Sequence, residues 1–341
     1  MLRLPAFRYL APTCVEDAVQ MIAESPADTM IVAGGTDVLP NMKRGQWKPK
    51  TLVGLRGIRE LAMFMPGPGG SRIIGAATTL TTIVNDEPFH VAVPGLWQAA
   101  AQIATPHLRN MGTIGGNLCL DTRCTYYDQS EEWRQAIGYC MKKDGSTCWV
   151  ATSSKKCLAV SSTDTAPMLL ALGAKVTLVS ASGSRDIAVE DLYNNDGIFY
   201  LAKRADELLT SVSLPNTRGW KSSYWKLRRR GSFDFPVGAA AVALKIDGDV
   251  VETARIALGA VASRPLLSDK AAAILIGAKL TDDVIAAAAD AAYEIAKPMD
   301  NTDFELVWRK KMIRSLVTSA LRECRGDDMR AKRLSIARQL L

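Results

Sequence analysis

The residues best suited to chemistry in this chain are cysteines and paired glycines. Cys124, Cys140, Cys148 and Cys157 fall in one segment, with fifteen, seven and eight residues between successive members. Thiolates are ligands for zinc and for iron–sulfur clusters, but a structural zinc site usually contains a C-x₂₋₄-C pair, which this segment lacks. Widely spaced thiolates can ligate a [4Fe–4S] cluster if the chain folds around it. Spacing alone leaves a metal centre and buried structural cysteines as alternatives.

Two paired-glycine turns could approach a phosphate group closely. The first lies in IVAGGTDV, residues 31–38, and the second in TIGGN, residues 113–117. Neither has the spacing of a Rossmann G-x-G-x-x-G motif or the Lys-Ser/Thr of a Walker A loop. Each places a hydroxyl or amide side chain beside flexible backbone, whose N–H groups can donate to phosphate oxygens. The pattern therefore fits either two tight turns or two phosphate-binding turns.

The isolated cysteines and the histidines do not form another site. Cys14 and Cys324 stand alone, and an isolated cysteine is usually a small buried apolar residue. His90 and His107 are too few and too isolated for a metal site or a catalytic triad. We therefore assign these residues no chemistry.

Composition and charge exclude several classes of protein. The chain has 341 residues, 48% hydrophobic and 23% charged, as expected for about two or three globular domains. No apolar run is long enough to span a membrane, and Pro5 with two arginines interrupts any signal-peptide pattern. The net charge of +7 comes with basic stretches at 226–230 and toward the C-terminus, but without a nucleic-acid-binding motif. We therefore expect a cytoplasmic protein that binds neither nucleic acid nor membrane.

Hydrophobic periodicity predicts the elements that must position these residues. A first α/β unit has a helix over 13–25, opened by a capping box of Thr13 and Glu16, and strands over 29–33 and 51–55. A second unit has helices over 80–86, 94–104 and 164–174, and strands over 72–78, 175–181 and 207–215. A third part has strands over 223–230, 238–246 and 251–261, with a hairpin turn at 247–249, and helices near 265–276, 281–296 and 302–324. Residues 119–162 interrupt this pattern with a polar segment that has no sustained period.

The motifs IVAGGTDVLPNMKRG and TIGGN, in this order, resemble those of the FAD-binding subunits of the molybdenum hydroxylase (xanthine dehydrogenase) family. The similarity runs essentially end to end and includes DTAPMLLALGA, ELLTSVSLP and the lysine of YWKLRRR. It implies an α+β fold, in which a two-part PCMH-type FAD-binding domain precedes a small C-terminal domain of antiparallel strands and helices. The implied boundaries are 1–56 and 57–218 for the two FAD-binding subdomains and 219–341 for the C-terminal domain.

The resemblance also implies which residues bind FAD. Asp164 and Lys226 would reach the flavin end, although the preceding residues 161–163 depart slightly from the commoner Ser-Asp pattern of the family. The positions that match the family's phosphate-binding loops are Ile31, Val32, Ala33, Gly34, Gly35, Thr36, Asp37, Val38, Thr113, Ile114, Gly115, Gly116 and Asn117. No residue of this chain is expected to act on the organic substrate.

The cysteine-containing segment differs from most members of this family, in which the second glycine loop runs almost directly into the next helix. Here residues 121–162 intervene, and their stretch DTRCTYYDQSEEWRQAIGYCMKKDGSTCW, residues 121–149, is similar to the cluster loop of the 4-hydroxybenzoyl-CoA reductases. The resemblance implies that Cys124, Cys140, Cys148 and Cys157 ligate a [4Fe–4S] cluster, whereas Cys119 is structural. A zinc ion and the absence of any metal are the alternatives.

The resemblance further implies partner subunits, because the chain has neither a molybdopterin-binding motif nor a [2Fe–2S] cysteine pattern. The partners would be a large molybdenum subunit and a small subunit with two [2Fe–2S] clusters, in a dimer of heterotrimers. Electrons from ferredoxin would pass through the [4Fe–4S] cluster and FAD to molybdenum, where 4-hydroxybenzoyl-CoA loses its phenolic hydroxyl. The alternatives are a flavin subunit of a molybdenum hydroxylase with electrons flowing outward, and a zinc-stabilised scaffold without flavin.

Lysines of the inserted segment suggest where an acidic ferredoxin would dock. They are Lys142, Lys143, Lys155 and Lys156, and complementary charge accelerates the encounter of redox partners. Charge reversal at Lys142 and Lys143 should therefore slow reduction by ferredoxin. Valine at Gly35 or Gly116 should weaken FAD binding, because a Cβ would block backbone approach and the turns would need positive φ.

Overall fold

The computed structural model describes residues 3–336, which form three β-sheets with helices packed against them. The strands are β1 Arg8–Leu10, β2 Thr29–Val32, β3 Thr51–Gly54, β4 Phe64–Pro66, β5 Arg72–Gly75, β6 Lys175–Ser180, β7 Gly183–Ala188, β8 Leu208–Leu214, β9 Trp220–Leu227, β10 Gly238–Asp247, β11 Val250–Gly259 and β12 Leu266–Leu267. The helices are α1 Val15–Glu24, α2 Val38–Lys43, α3 Leu80–Val84, α4 Glu87–Ala92, α5 Pro94–Ala101, α6 Pro106–Arg109, α7 Ile114–Leu118, α8 Glu131–Ala136, α9 Thr165–Ala171, α10 Asp269–Leu275, α11 Asp282–Ile295, α12 Leu306–Arg325 and α13 Arg330–Ile336. This architecture confirms the predicted α+β fold.

The first sheet is parallel, with strand order β1-β3-β2, and α1 packs against it. β2 ends at Val32, so the first glycine pair forms the turn between β2 and α2. The predicted capping box is wrong, because Cys14 rather than Thr13 precedes α1 and no side chain of the helix start caps it. The Val15 N–H donates instead to the Glu60 carboxylate at 2.8 Å, so a residue distant in sequence satisfies this open helix end.

The second sheet is antiparallel, with strand order β4-β5-β8-β6-β7. Its central strands bury alternate residues, as the period-two pattern predicts for β6 and β8. The pattern does not predict β4 and β7, which lie at the two edges of the sheet. β4 is only three residues long and β7 is largely polar, so neither produces a recognisable apolar alternation.

The third sheet is antiparallel, with strand order β12-β11-β10-β9, and helices cover both of its faces. Alternate residues of β10 enter two different cores, one facing α5 and α9 and the other facing α10 and α12. The first set is Ala239, Ala241 and Ala243, and the second is Ala240, Val242 and Leu244. The small alanine side chains on the first face let α5 and α9 pack directly on the sheet.

The register of the third sheet fixes the direction of a lysine. Lys226 of β9 lies opposite Ala239 of β10, and directly opposed residues in an antiparallel pair share one face. Its side chain therefore lies on the face that packs against α5 and α9. The register therefore directs the charged Lys226 side chain into the interior of the protein, between the second and third sheets.

The cysteine-containing segment is mostly irregular, as its lack of periodicity predicts, with α8 as its regular element in the described part. Both of its ends meet at Arg123 and Val160, which exchange two backbone hydrogen bonds of 2.8 and 2.7 Å. The segment packs on the first sheet's unit: Tyr127 accepts a hydrogen bond from Gln46 at its carbonyl and from Trp47 at its hydroxyl. Within residues 3–336, no helix is long and apolar enough to cross a membrane.

Candidate functional site

A cleft of about 1290 Å³ lies between the β2–α2 turn, the second glycine turn and the start of α9. Its volume exceeds the roughly 300–1,000 Å³ of ordinary small-molecule pockets, so it can hold a ligand as large as a dinucleotide. All residues predicted to bind FAD line the cleft except Val32 and Ile114. Those two side chains are buried in adjacent hydrophobic clusters, so they support the turns from behind.

The first glycine pair is required by two different constraints. A Cβ at Gly34 would lie 1.9 Å from the carbonyl oxygen of Met111, so glycine allows the first turn to touch the chain that precedes the second turn. Gly35 has a φ of +71°, a conformation that is strained for residues with a β-branched side chain. The prediction of a positive φ is thus confirmed at Gly35.

The second glycine pair has a different backbone from the one predicted. Gly115 and Gly116 lie within α7 and do not have positive φ, so that part of the prediction is wrong. Thr113 caps this short helix by accepting from the Gly116 N–H at 3.1 Å. A Cβ placed at Gly116 would meet Thr113 Oγ1 at 3.1 Å and otherwise face open space among the described residues. The absence of a side chain at Gly116 therefore widens the cleft itself.

Asn117 connects the second turn to α9. Its side-chain oxygen accepts hydrogen bonds from the Thr163 hydroxyl at 2.8 Å, the Thr165 N–H at 3.0 Å and the Thr165 hydroxyl at 2.6 Å. An N–H at the start of a helix has no partner within the helix, and Asn117 supplies one. This contact fixes the second turn relative to Asp164, which immediately precedes α9.

Asp164 and Lys226 form a buried ion pair in the lining of the cleft. The Lys226 ammonium donates to Asp164 at 3.1 Å and to the carbonyl of Gln102 at 3.0 Å, and the Tyr224 hydroxyl donates to Asp164 at 2.8 Å. Burial raises the pKa of Asp164 and lowers the pKa of Lys226, while the attraction between the two groups opposes both shifts. A buried polar pair thus lies in the lining of the cleft.

Several lining residues were not predicted from the sequence. Eight of them are cationic or aromatic: Lys43, Arg44, Trp47, Arg123, Tyr200, Lys203, Phe233 and Phe235. Lys43 and Arg44 stand in the quoted motif IVAGGTDVLPNMKRG, so their position one helix after the glycine turn was a usable signal. Arg123 and Lys203 come from distant segments, and no spacing in the sequence relates them to the turns.

The four cysteines of the inserted segment are buried, free of disulfides and gathered together. Cys124, Cys140 and Cys157 share one small cluster with Tyr127 and Ala159. Burial raises the pKa of Cys124 to about 12, and the three neighbouring thiols add to this shift. Burial also raises the pKa of Cys157 to about 11, against the opposing effects of the Ala159 N–H and the Lys142 ammonium. As they stand in residues 3–336, no three histidine, cysteine or acidic side chains have the arrangement of a metal site.

Arg123 joins the thiols to the cleft. It directly precedes Cys124, is almost fully buried, and donates to the carboxylate of Asp37 in the first glycine turn. It also lies 3.6 Å from Asp128 and stacks over Phe235, 4.8 Å from the ring centre. The two candidate sites are therefore in direct contact through one guanidinium group.

The structure corrects the proposed position of one docking lysine. Only 6% of the Lys142 side chain is exposed, whereas 39% of the Lys143 side chain is exposed. Lys142 is paired with Asp121 at 2.7 Å inside the protein, because a buried ammonium needs a counter-charge. It cannot form part of a docking surface, and the expectation that it does is wrong.

Comparison with known proteins identifies the family. Residues 5–217 match the family described as FAD binding domain in molybdopterin dehydrogenase, and residues 222–324 match the CO dehydrogenase flavoprotein C-terminal domain. The chain belongs to this FAD-binding family. The resemblance predicted at this level is confirmed, and FAD is accordingly a cofactor of this chain.

The relatives in this family are subunits of oxidoreductases. The carbon monoxide dehydrogenase medium chain of Afipia carboxidovorans is 27% identical, over 94% of this chain and 97% of its own length. The aldehyde oxidoreductase FAD-binding subunit of Escherichia coli is 29% identical, over 93% and 99%. A crystal structure of Cu,Mo-CO dehydrogenase superposes with a TM-score of 0.78 at 27% identity, covering 95% of this chain and 99% of the other. This chain is therefore an oxidoreductase subunit as well.

Proposed function

We propose that this chain carries FAD and a [4Fe–4S] cluster as the electron-transfer subunit of a molybdenum-containing complex like 4-hydroxybenzoyl-CoA reductase. The observation that carries the proposal is the gathering of four buried free thiols beside the flavin cleft. Membership in the family accounts for the flavin alone. The inserted cysteine segment, which contacts the first glycine turn through Arg123, supports the proposal of a second redox centre.

The cleft fits FAD by its size and by the chemistry of its lining. The backbone of the two glycine turns, with the hydroxyls of Thr36 and Thr113, would hold the pyrophosphate. Lys43 and Arg44 would balance its charge. Asp37 would contribute through its backbone, since its carboxylate is neutralised by Arg123. Bound FAD can exchange either single electrons or electron pairs.

Asp164 and Lys226 would face the isoalloxazine end of the cofactor. Their fixed positions, held by Tyr224 and by the carbonyl of Gln102, allow them to contact polar atoms of the ring without reorganisation. Trp47, Phe233 and Phe235 would shield the cleft from water. These residues bind and orient the flavin, and none is assigned a reaction with the organic substrate.

The four thiols fit an iron–sulfur cluster by their number, burial and reduced state. A [4Fe–4S] cluster takes one thiolate per iron and transfers single electrons. The raised pKa of Cys124 means that the metal-free thiol is protonated at neutral pH, so binding of iron displaces protons. An irregular segment with a small core of its own gains stability from such a crosslink.

The proposed complex needs a large molybdenum subunit, a small subunit with two [2Fe–2S] clusters, and ferredoxin as the reductant. Two electrons from ferredoxin and two protons would convert the phenolic hydroxyl of 4-hydroxybenzoyl-CoA to water and leave a carbon–hydrogen bond in its place. We place this chain between ferredoxin and the molybdenum subunit, in a dimer of heterotrimers. The boundaries near 56 and 218 stay predictions for the subdomains of the chain.

Iron analysis of the full chain, purified without oxygen, tests the cluster. We expect about four irons per chain, because each thiolate binds one iron, and a broad visible absorbance beneath the resolved flavin bands. Serine at Cys124, Cys140, Cys148 or Cys157 should abolish this iron, whereas Cys14→Ser, Cys119→Ser and Cys324→Ser should retain it. Stoichiometric zinc, or no metal at all, would overturn the cluster while leaving the flavin site intact.

A second candidate function is a flavin subunit of a molybdenum hydroxylase from which electrons flow outward. Relatives named nicotine 6-hydroxylase medium subunit and nicotinate dehydrogenase FAD-subunit favour it. The two functions differ in the partner that exchanges electrons with the complex. Rapid reduction by ferredoxin and slow reduction by NADH support the reductase, and the opposite order supports the hydroxylase.

A further inference from the structure

Lys142 is a buried cation in a segment that is otherwise irregular. Its ammonium group donates to Asp121 at 2.7 Å, to the Thr122 hydroxyl at 2.8 Å and to the carbonyl of Gly197 at 2.6 Å. An ammonium has three protons to donate, and these three acceptors hold it in one position. The Lys142 side chain is therefore a fixed, buried positive charge and not a mobile charge at the surface.

The fixed charge lies next to the thiols. A Cβ at Gly197 would be 2.6 Å from the sulfur of Cys157, so the residue that accepts from Lys142 is in contact with that sulfur. The ring of Tyr127, a member of the thiol cluster, has its centre 5.0 Å from the ammonium nitrogen. Lys142 thus borders the proposed iron site without being a ligand.

The same charge lies next to the flavin cleft. The ring centre of Tyr200 is 5.5 Å from the Lys142 nitrogen, and Tyr200 lines the cleft. Asp121, the counter-charge, is 5% exposed and lies on the chain between the second glycine turn and Cys124. The buried ion pair therefore borders both redox sites.

We propose that the Lys142–Asp121 pair sets the reduction potentials of both centres, with Lys142 favouring their reduced forms. This inference rests on the proposed function, because it requires the thiols to hold iron. Each electron that enters a centre adds negative charge, and a nearby buried cation stabilises that charge more strongly than a solvated one. Charges outside the ligand shell are known to tune metal centres in this way.

Potentiometric titration of the anaerobically purified full chain tests this role. Visible absorbance follows the flavin, and electron paramagnetic resonance follows the cluster. Lys142→Met should make both midpoint potentials more negative, because the stabilising charge is lost. Asp121→Asn should shift both potentials in the positive direction, because the ammonium is then uncompensated.

Lys143→Met is the matched control, since it removes the same charge from the neighbouring residue at a partly exposed position. Its potentials should equal those of the unaltered chain, because solvent screens that charge. If Lys142→Met fails to fold with Asp121 unpaired, the double variant Lys142→Met/Asp121→Asn replaces it. Its potentials should lie between those expected of the two single variants.

The proposal is supported if the potentials of Lys142→Met and Asp121→Asn shift in opposite directions. If the double variant replaces Lys142→Met, the proposal is supported if Asp121→Asn shifts the potentials in the positive direction and those of the double variant are less positive. Unshifted potentials in variants that retain both cofactors overturn it, and so do shifts equal to that of Lys143→Met. Absence of iron from the unaltered chain would instead refute the proposed function. In that case, the flavin potential alone would still report whether Lys142 acts on the cleft.

Discussion

At the scale of single residues, the first glycine turn gives a direct test of the flavin site. Gly35→Val should weaken FAD binding, because Gly35 lines the cleft with a φ of +71° and a β-branched side chain strains that backbone by about 1–3 kcal/mol. The measurement is the FAD content of the purified chain after gel filtration. Stoichiometric FAD in this variant would contradict the assignment of the first turn.

Gly173→Val controls for backbone strain alone. Gly173 has a φ of +68° and is exposed, and a Cβ placed there would face open space among the described residues. It does not line the cleft, so its variant should lose comparable stability and keep FAD. Gly116→Val should lower FAD content without backbone strain, because the added side chain occupies the cleft.

Arg123 should be needed for tight FAD binding. Arg123→Gln leaves the carboxylate of Asp37 unpaired in the first glycine turn, at a cost of about 1–3 kcal/mol, or roughly a 5- to 150-fold weaker affinity for FAD at the proposed site. Titration of the flavin-free chain with FAD, followed by flavin fluorescence, measures the change. Arg314→Gln, which removes an exposed pairing with Asp290, should bind FAD normally, and equal affinities for the two variants would disprove the role.

The residue-level predictions succeeded where the local sequence carries the constraint. The glycine pair directly after β2 marks a turn, and both glycine pairs do line the cleft. Lys142 was misplaced because the segment has no periodicity, so nothing local distinguishes an inward lysine from its neighbour Lys143. Arg123 was missed because its partner, Asp37, is brought near only by tertiary folding.

At the scale of elements, Glu323 of α12 should stabilise the C-terminal helices in a pH-dependent way. Its carboxylate accepts from Arg333 of α13 and from Ser223 and Trp225 of β9. Burial alone would raise the pKa of Glu323, but these donors outweigh it and hold the pKa below its usual value. Stability from this group is therefore present above the unfolded carboxyl pKa and is lost as the pH falls through the folded pKa.

Glu323→Gln should lower the free energy of unfolding by about 3 kcal/mol at pH 7, near the lower limit for a broken buried ion pair. We expect a loss of free energy near this lower limit because 25% of the Glu323 side chain is exposed. Urea denaturation should show this difference shrinking below a pH of about 4.5. Asp290→Asn, in an exposed pair, should change stability by less than about 1 kcal/mol at either pH, and a pH-independent effect of Glu323→Gln would refute the linkage.

Periodicity predicted the elements that are buried on at least one continuous face. The apolar runs of β10 and α9 both led to correct positions, because tertiary burial and local pattern agree there. β1, β4 and β7 were missed, since short or polar edge strands receive their structure from the neighbouring strand. The start of α1 was misplaced because the N–H of Val15 is satisfied by Glu60, forty-five residues away.

At the scale of the whole molecule, an approaching ferredoxin should respond to the exposed lysines of the cysteine segment. Lys143→Glu and Lys155→Glu should slow reduction by ferredoxin at low salt, because both residues present charge to solvent. Stopped-flow absorbance at rising ionic strength measures the rate, which should fall as salt screens the attraction. Reduction by a small neutral dye should be unchanged.

Lys270→Glu provides the control, because Lys270 is an exposed lysine of α10 outside the segment. Its rate with ferredoxin should match that of the unaltered chain. Efficient reduction by NADH, with no effect of Lys143 or Lys155, would favour the outward-flowing hydroxylase. Electrons would then flow outward, as proposed from the relatives, and not inward, as proposed from the inserted segment.

The meeting of Arg123 and Val160 has an evolutionary consequence. A segment that leaves and re-enters the framework at adjoining residues is a detachable module, and its gain or loss disturbs little of the surrounding architecture. Replacing 124–159 with a short Asn-Gly hairpin turn, together with Asp121→Asn because Lys142 is lost, should yield a chain that still holds FAD but binds no iron. The reverse graft, into a relative that lacks the segment, would convert a single-cofactor flavoprotein into a two-cofactor one, provided that the host retains an aspartate at the position of Asp37 to receive Arg123.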